Sequence, residues 1–309
     1  MRVAAGGRPG AALPSQSVVI AAWNGVRYLR RCLEALEAAD PVPGLEIIVS
    51  RNFDDGAASL LAAEYPGVLD IGLPSSTNVP RLRLAGIDRA SGTIVALTED
   101  HAIPAPGWAA ALRGAHAAGL GRIIGGPVDQ APAQAAVSWG VYLYDYGRYR
   151  PPCPGGSVGH LSGINVSYQR ALLEACGSEL TDGLHEARLH GALRSRGESL
   201  IMEPAAVVMQ GKRHQLGPSL RSAFHLGRGY AAGRAVGKSL RWRAGFAAGS
   251  VALPIVLTSR TLAAVLPKGR DLGRVLAAIP VFATLTLAWS AGELAGYATG
   301  RGDSDARWR

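Results

Sequence analysis

The sequence predicts an α/β fold with a mostly parallel sheet, followed by a basic helical region of different character. Over the first two thirds of the chain, short apolar runs rich in β-branched residues alternate with segments of helical periodicity. This alternation is typical of βαβ units joined by right-handed crossovers. After residue 210 the charge becomes strongly positive and long apolar stretches appear, which indicates a second kind of structure.

The elements follow in order along the chain. The apolar run 17–22 predicts a first strand, and Leu29, Leu33 and Leu36 recur at helical spacing after it. The later predictions are strands at 45–49, 93–97 and 205–209 and helices at 26–39, 57–65, 81–90, 170–175 and 184–196. Segment 104–157 has too weak a periodicity for assignment.

Polar clusters stand directly after three of the predicted strands, at Trp23-Asn24, at 50–55 and at Glu99-Asp100-His101. Ligands of such sheets bind beyond the carboxyl ends of the strands, so these clusters are candidate site residues. Two acids and an imidazole offer ligands to a divalent cation, which can neutralise a diphosphate leaving group. The alternative is a set of solvated polar residues at a strand end.

Composition excludes several classes of protein. The chain has 309 residues, 48% apolar and 18% charged, which excludes disordered and collagen-like chains. Three cysteines without a CxxC pattern argue against a disulfide framework or a structural zinc site and favour a reducing compartment. No apolar run follows Arg2 and Arg8, so we expect a disordered lead-in over 1–16, no signal peptide and a cytosolic location for most of the chain.

The last third is basic and apolar. Residues 211–309 carry 15 Lys+Arg against 4 Asp+Glu, and 211–270 contain no acidic residue. The apolar stretches 246–266 and 275–297 are each long enough to reach ~30 Å as a helix. Positive charge at all their ends conflicts with a two-span hairpin. Embedded or re-entrant helices, interfacial helices and buried helices of a soluble domain therefore remain open.

Aromatic residues alternate with basic ones between Arg221 and Arg243. This pattern is also found on protein surfaces that bind nucleic acid. The apolar stretches that follow favour a membrane with anionic headgroups over nucleic acid or a plain solvated face.

Six segments carry a resemblance to a known family. They are 17–24, 46–56, 83–92, 93–104, 163–170 and 185–197. In order and rough spacing they resemble family 2 glycosyltransferases of the GT-A fold, over about residues 17–215. The resemblance implies a Rossmann-like mixed sheet flanked by helices over 17–215. The basic and apolar composition beyond it predicts a membrane-associated helical region over 216–300 and a tail over 301–309.

The resemblance implies a donor site at the strand ends. The matching nucleotide-binding positions are Ala22, Trp23, Asn24, Ser50, Asn52, Arg83 and Asp100. The family commonly has an Asp where Ser50 or Arg51 stands here. Arg83 matches an arginine suited to the diphosphate, since a guanidinium fits phosphate oxygens; a solvated helix arginine is the alternative.

The same resemblance aligns Glu99 and His101 with the ends of the family's Asp-x-Asp metal motif, which implies Mn²⁺ or Mg²⁺ as cofactor; an imidazole shifts the preference toward Mn²⁺. Gly163 and Asn165, with Tyr168, match a segment near the sugar donor and acceptor, and a structural turn role for Asn165 stays open.

For the catalytic base the resemblance implies Glu186, at the start of a helix. Asp182, one turn upstream, is the rival, and its alternative role is a helix N-cap. The family's later histidine is replaced by Met209-Gln210, with His214 as a substitute four residues on. An alternative is that phosphate is bound electrostatically by Lys212, Arg213 and His214 together.

The resemblance implies a metal-dependent, inverting, hexosyl-type glycosyltransferase. Its donor would be a nucleoside-diphosphate sugar, and its acceptor a lipid-linked or cell-envelope glycan at the cytosolic membrane face, with no nucleic-acid partner. The alternative is a non-catalytic nucleotide-sugar-binding or scaffold protein that retains the fold. A nucleotidyltransferase is disfavoured, because no Gly-rich basic loop follows the first strand.

Overall fold

The computed structural model describes residues 15–38, 43–132 and 134–304, which fall into two units. The first unit runs to residue 129 and resumes over 151–211, and the second takes 130–150 and the chain from 212 onward. Segment 130–150, expected inside the GT-A domain, thus groups with the C-terminal helices. The predicted lead-in lies outside the described residues except for Ser15 and Gln16, and so does 305–309 of the predicted tail.

The elements are numbered in chain order. The strands are β1 (Gln16–Ala22), β2 (Leu45–Arg51), β3 (Leu69–Gly72), β4 (Ile94–Glu99), β5 (Ala102–Pro104), β6 (Ile123–Gly125), β7 (Val128–Gln130), β8 (Gly156–Val158), β9 (Val166–Gln169), β10 (Leu200–Met202) and β11 (Val208–Gln210). The helices are α1 (Val26–Ala38), α2 (Ala57–Glu64), α3 (Val79–Ile87), α4 (Trp108–Ala117), α5 (Ala136–Tyr146), α6 (Arg170–Glu174), α7 (Glu186–Ser195), α8 (Leu216–Ala235), α9 (Leu240–Ser250), α10 (Leu253–Val265) and α11 (Leu272–Thr299).

The main sheet of the first unit is mixed. Its eight strands follow the order β3-β2-β1-β4-β9-β6-β10-β8. The β3-β2-β1-β4 part is parallel, whereas β9 runs antiparallel to both β4 and β6. A smaller sheet has the order β5-β11-β7. The predicted mixed sheet flanked by helices is confirmed.

Most predicted elements appear within two or three residues of their expected bounds. Helix α3 begins earlier than expected, because the Asn78 side chain caps it by accepting from the Arg81 N–H at 3.1 Å, and Pro80 stands in its first turn. Strand β3 escaped prediction because it is short and its Leu69 is exposed, which leaves no buried apolar run.

The parallel pairing of β1 and β4 determines where the site forms. Ala21 of β1 stands opposite Glu99 of β4. The residues that follow each strand therefore emerge side by side at the carboxyl edge of the sheet, as the strand-end clusters require.

A close approach of α3 to the sheet sets the position of Arg83. A Cβ added to Gly86 would lie 2.3 Å from Val19 Cγ1, so the helix rests directly on β1 at this point. The start of α3 is also tied to the loop before α7, since Pro80 O accepts from the Leu184 N–H at 2.9 Å. These two contacts bring Arg83 and the first turn of α7 together.

The second unit is helical, and α11 is its central element. Helix α11 packs against α5, α8, α9 and α10. One buried apolar cluster of this unit consists of Val141 from α5, Ala223 from α8 and Leu285 from α11. Among the described helices α11 alone is long and apolar enough to cross a membrane, and α9 with Leu253–Lys268 passes the same test as a pair bent by 54°. A buried core helix meets this criterion too, so the membrane prediction stays a prediction.

We expect Gly86→Ala to lower the free energy of unfolding. Overpacking against a β-branched neighbour costs roughly 1–3 kcal/mol, which exceeds the ~0.5–1 kcal/mol that alanine contributes in a helix. The matched control is Gly114→Ala, at an exposed position of helix α4, where an added Cβ meets nothing within 4 Å. Urea unfolding of both variants measures the difference; equal stability of the two would contradict the close packing of α3 on β1.

Candidate functional site

The loop after β1 is held by Asp100, which follows β4. Asp100 is buried, and its Oδ2 accepts from the backbone N–H groups of Trp23 at 2.9 Å and Asn24 at 2.7 Å. Its Oδ1 accepts from Asn24 Nδ2 at 2.6 Å. Both oxygens are thus engaged in fixing the loop, and three of the predicted donor-site residues lie together.

Glu99, the last residue of β4, is the centre of the next layer. Its Oε2 accepts from the indole Nε1 of Trp23 at 3.0 Å, and its Oε1 accepts from Arg83 Nη2 at 2.7 Å. His101 Nδ1 lies 3.4 Å from Glu99 Oε2 and the same distance from Asn24 Nδ2. The side chains of Glu99, Asp100 and His101 are all buried, and they lie together at the edge of the sheet.

Arg83 joins Glu99 to Glu186. The guanidinium donates to Glu186 Oε2 through Nη1 at 2.6 Å, and the same nitrogen lies 3.4 Å from the carbonyl of Leu184. Arg83 is 4% exposed. Burial lowers its pKa, but the charges of Glu186 and Glu99 outweigh burial, so the pKa of Arg83 lies above its usual value. The side chain is a permanent cation between two carboxylates.

Glu186 begins helix α7, where the helix dipole favours a negative charge. Burial would raise the pKa of Glu186, but the charge of Arg83 and hydrogen bonds outweigh it and hold the pKa below its usual range. The side chain is 37% exposed, so a second molecule can reach it. Asp182, the rival base, is exposed, whereas Glu186 is half-buried and pairs with the buried Arg83.

Gly163 lies against this ion pair. A Cβ at this position would stand 2.6 Å from Arg83 Nη2 and 2.8 Å from the carboxyl carbon of Glu186. A side chain at this position would displace one of the two paired side chains, so the glycine lets the backbone lie close to both. The structure therefore places this predicted sugar-site residue beside the base candidate.

Asn165, two residues further, faces a different set of partners. It is fully buried, and its Nδ2 donates to the carbonyls of Pro127 at 2.8 Å and Ala206 at 2.7 Å. Its Oδ1 accepts from Trp108 Nε1 at 2.8 Å. Of the two roles left open by the sequence, these contacts favour the structural one.

Behind Glu186, Tyr168 is paired with a buried residue that sequence reasoning missed, His190. The Tyr168 hydroxyl and His190 Nε2 are 2.7 Å apart. Burial lowers the pKa of His190 to about 4, so the imidazole is neutral at physiological pH. His190 follows Glu186 by four residues, and this helical spacing on one face was the available signal.

The remaining donor-site residues stand at the ends of β1 and β2. The carbonyl of Ala22 accepts from the Asn52 N–H at 3.2 Å, and Asn52 Nδ2 donates to Thr77 O at 2.8 Å. Ser50 is buried beneath α3, close to Gly86. They share the sheet edge with the cluster around Glu99.

Arg51, the other residue at the family's Asp position, is held by its neighbours in the sequence and in β3. Its guanidinium pairs with both oxygens of Asp70, at 2.8 and 2.9 Å, and donates to Phe53 O at 2.7 Å. This side chain supports the loop after β2.

The residues at the later histidine position diverge. Gln210 is buried in β11 of the first unit. His214 belongs to the second unit, where its backbone N–H donates to Ser138 Oγ at 3.0 Å. Lys212 and Arg213 belong to the second unit as well.

The side chains of Glu99 and His101 suit a metal ion that also takes phosphate oxygens as ligands. In the part of the chain that the structure describes, no three His, Cys, Asp or Glu side chains are arranged to hold an ion. Glu99 and His101 nevertheless present an oxygen and a nitrogen 3.4 Å apart. Mg²⁺-type sites at phosphates commonly use one or two protein ligands and complete the shell with substrate oxygens and water. The residues fit that kind of site.

The solved structures that resemble this chain include three that span most or much of it. The mannosyltransferase PcManGT from Pyrobaculum calidifontis, in complex with GDP-Man and Mn²⁺, has a TM-score of 0.56 and 20% identity over 92% of this chain and 87% of that one. S. aureus TarS 1–349 has a TM-score of 0.50 and 13% identity over 89% and 91%. GalNAc-T7 with UDP, GalNAc and Mn²⁺ has a TM-score of 0.52 and 16% identity over 66% and 45%. At these identities the likeness shows the fold.

The sequence comparisons add the family. No significant match was found among curated protein sequences. The profile of Glycosyl transferase family 2 matches residues 17–177, which is more than half of the 309 residues. The chain therefore belongs to glycosyl transferase family 2 and is a glycosyltransferase of the GT-A fold.

Proposed function

We propose that the chain is an inverting, hexosyl-type transferase that moves a sugar from a nucleoside-diphosphate donor to an acceptor hydroxyl. One observation carries this proposal: a single buried guanidinium, Arg83, binds Glu99 at the end of β4 and Glu186 at the start of α7. Glu99, on the donor side of the site, and Glu186, the base candidate, therefore contact the same guanidinium.

Glu186 is the base in this proposal. Its carboxylate is ionised at neutral pH and partly exposed, so an acceptor hydroxyl can approach it. As Glu186 takes the hydroxyl proton, the acceptor oxygen forms a bond to the anomeric carbon. The bond from that carbon to the diphosphate oxygen breaks on the opposite face, and the nucleoside diphosphate leaves with the bonding electrons.

Arg83 links donor binding to the strength of this base. While Glu186 is paired with Arg83, its lowered pKa makes it a weak proton acceptor. Diphosphate oxygens compete for a guanidinium because they match its fork of donors. A donor that draws Arg83 toward its phosphates weakens the pair and raises the proton affinity of Glu186 at the moment when the base is needed.

Glu99 and His101 would hold Mn²⁺ or Mg²⁺, with the imidazole favouring Mn²⁺. When bound, the ion would neutralise charge that develops on the leaving diphosphate. Two of the similar structures contain Mn²⁺, which supports this part of the proposal. Asp100 keeps Trp23 and Asn24 in place beside these ligands.

The acceptor in this proposal is a lipid-linked or cell-envelope glycan at the cytosolic membrane face. The support is the composition of the second unit, which combines an acid-free basic segment over 211–270 with long apolar helices. The rival is a scaffold protein without turnover. Its support is that Ser50, Glu99-Asp100-His101 and Gln210 depart from the residues that the family commonly has at these positions. Catalysis is favoured because Arg83 contacts both Glu99 and Glu186, and His101 lies beside Glu99.

Glu99→Ala tests the donor and metal site. We expect calorimetry with a panel of nucleotide sugars to detect one donor that binds in the presence of Mn²⁺ or Mg²⁺, and the variant to lose that metal dependence because one of two protein ligands is gone. The matched control is Glu174→Ala, a change of an exposed glutamate on α6. If wild-type protein bound no donor with either metal, the scaffold alternative would replace this proposal.

Glu186→Gln tests the base. The amide has the shape of the carboxylate but cannot accept the proton, so we expect the turnover number to fall by about 10²–10⁴-fold while the donor still binds. Asp182→Asn is the matched control and is expected to retain activity. A reversed result, with loss of turnover only in Asp182→Asn, would assign the base to Asp182.

A further inference from the structure

The bend between α9 and α10 exposes apolar side chains. Val251 is 69% exposed, Ile255 75% and Val256 42%. No charged residue lies between Arg243 and Arg260. Soluble surfaces seldom present several large aliphatic side chains together, so this bend has the properties of a contact surface.

Basic and aromatic residues border the bend. Trp242 and Phe246 of α9 stack with ring centroids 4.0 Å apart, and the Arg234 guanidinium lies 4.6 Å from the Phe246 ring centre. Segment 211–270 has eleven Lys and Arg and no acid. Aromatic rings beside cationic side chains are typical of the headgroup level of a membrane, and the missing acids favour anionic lipids.

Helix α11 has an exposed apolar face as well. Leu276, Leu287 and Leu294 fall on one face of the helix, and each is between 45% and 56% exposed. Such a face suits a helix that crosses a bilayer and also one that lies along its surface, so it does not distinguish the two arrangements.

The packing of α8 on α11 does distinguish them. Ala223 and Leu220 of α8 pack around Leu285, near the middle of α11. Arg221, between them in sequence, is exposed. If α11 crossed a bilayer, Arg221 would stand close to the midplane, where a charged side chain is costly. A helix that lies parallel to the membrane surface leaves Arg221 at the headgroup level.

We propose that the second unit binds one leaflet of an anionic bilayer, with the α9–α10 bend in the acyl boundary and α11 parallel to the surface. Basic side chains of 211–270 contact the headgroups. The inference deepens the membrane part of the proposed function, and its test needs no sugar transfer.

Vesicle binding tests the surface. We expect the full chain to co-sediment with vesicles of phosphatidylcholine and phosphatidylglycerol, and more weakly with phosphatidylcholine alone or at high salt. The double variant Val251→Asp/Ile255→Asp should bind at least about tenfold more weakly, because two apolar side chains lose their burial. Leu120→Asp, at a 52% exposed leucine of the first unit, is the control and should bind as wild type.

Depth measurements test the orientation of α11. A fluorophore on a cysteine introduced at Leu276, Leu287 or Leu294 is quenched by lipids that carry a nitroxide at different depths. A helix parallel to the surface gives the same shallow depth, or the same lack of quenching, at all three positions. A deepest position at Leu287 would show that α11 crosses the bilayer and would overturn the proposal.

The failures of the two proposals can be told apart. Absence of vesicle binding by a chain that transfers sugar to a soluble acceptor would overturn the membrane inference and leave the transferase in place. Vesicle binding by a chain that binds no nucleotide sugar would overturn the proposed donor site and leave the membrane inference in place. Binding to a nucleic-acid duplex in preference to anionic vesicles would also overturn the inference.

Discussion

The ion-pair cluster of Arg83, Glu99 and Glu186 is the constraint around which the catalytic half is arranged. A buried guanidinium is tolerated only when carboxylates stay in contact with it, and removal of one partner would leave an uncompensated buried charge. The surrounding backbone meets this requirement at two glycines. Gly86 lets α3 rest on β1, and Gly163 lets its loop lie against the ion pair.

The ion-pair cluster holds its two carboxylates to different extents. Glu99 is held from one side by the Trp23 indole and from the other by Arg83, so its orientation is fixed before any ligand arrives. Glu186 is held by Arg83 alone among these, and it retains an exposed edge. A diphosphate that takes over Arg83 would thus change the basicity of Glu186 more than the position of Glu99. In the proposed function, donor binding and base activation are thus consequences of one competition for the Arg83 guanidinium.

Much of this arrangement follows from local sequence patterns, and some of it cannot. Short apolar runs and helical patterns located β1, β2, β4 and α1–α3, and the rule for parallel sheets placed Trp23, Asn24 and Asp100 at one edge. The contact between Arg83 and Glu186 joins residues 103 positions apart, and no local signal encodes it. Segment 130–150 groups with the C-terminal helices through tertiary packing on α11, which periodicity does not report.

The most direct test of the account is the pKa of Glu186, measured by carboxyl ¹³C NMR in the free protein and with a Mg²⁺ nucleoside diphosphate bound. Glu186→Gln assigns the resonance. The account predicts a pKa below the usual glutamate range in the free protein, because Arg83 stabilises the carboxylate, and an upward shift when the diphosphate engages Arg83. A pKa in the usual range that does not respond to the bound nucleotide would contradict the central role of the ion-pair cluster.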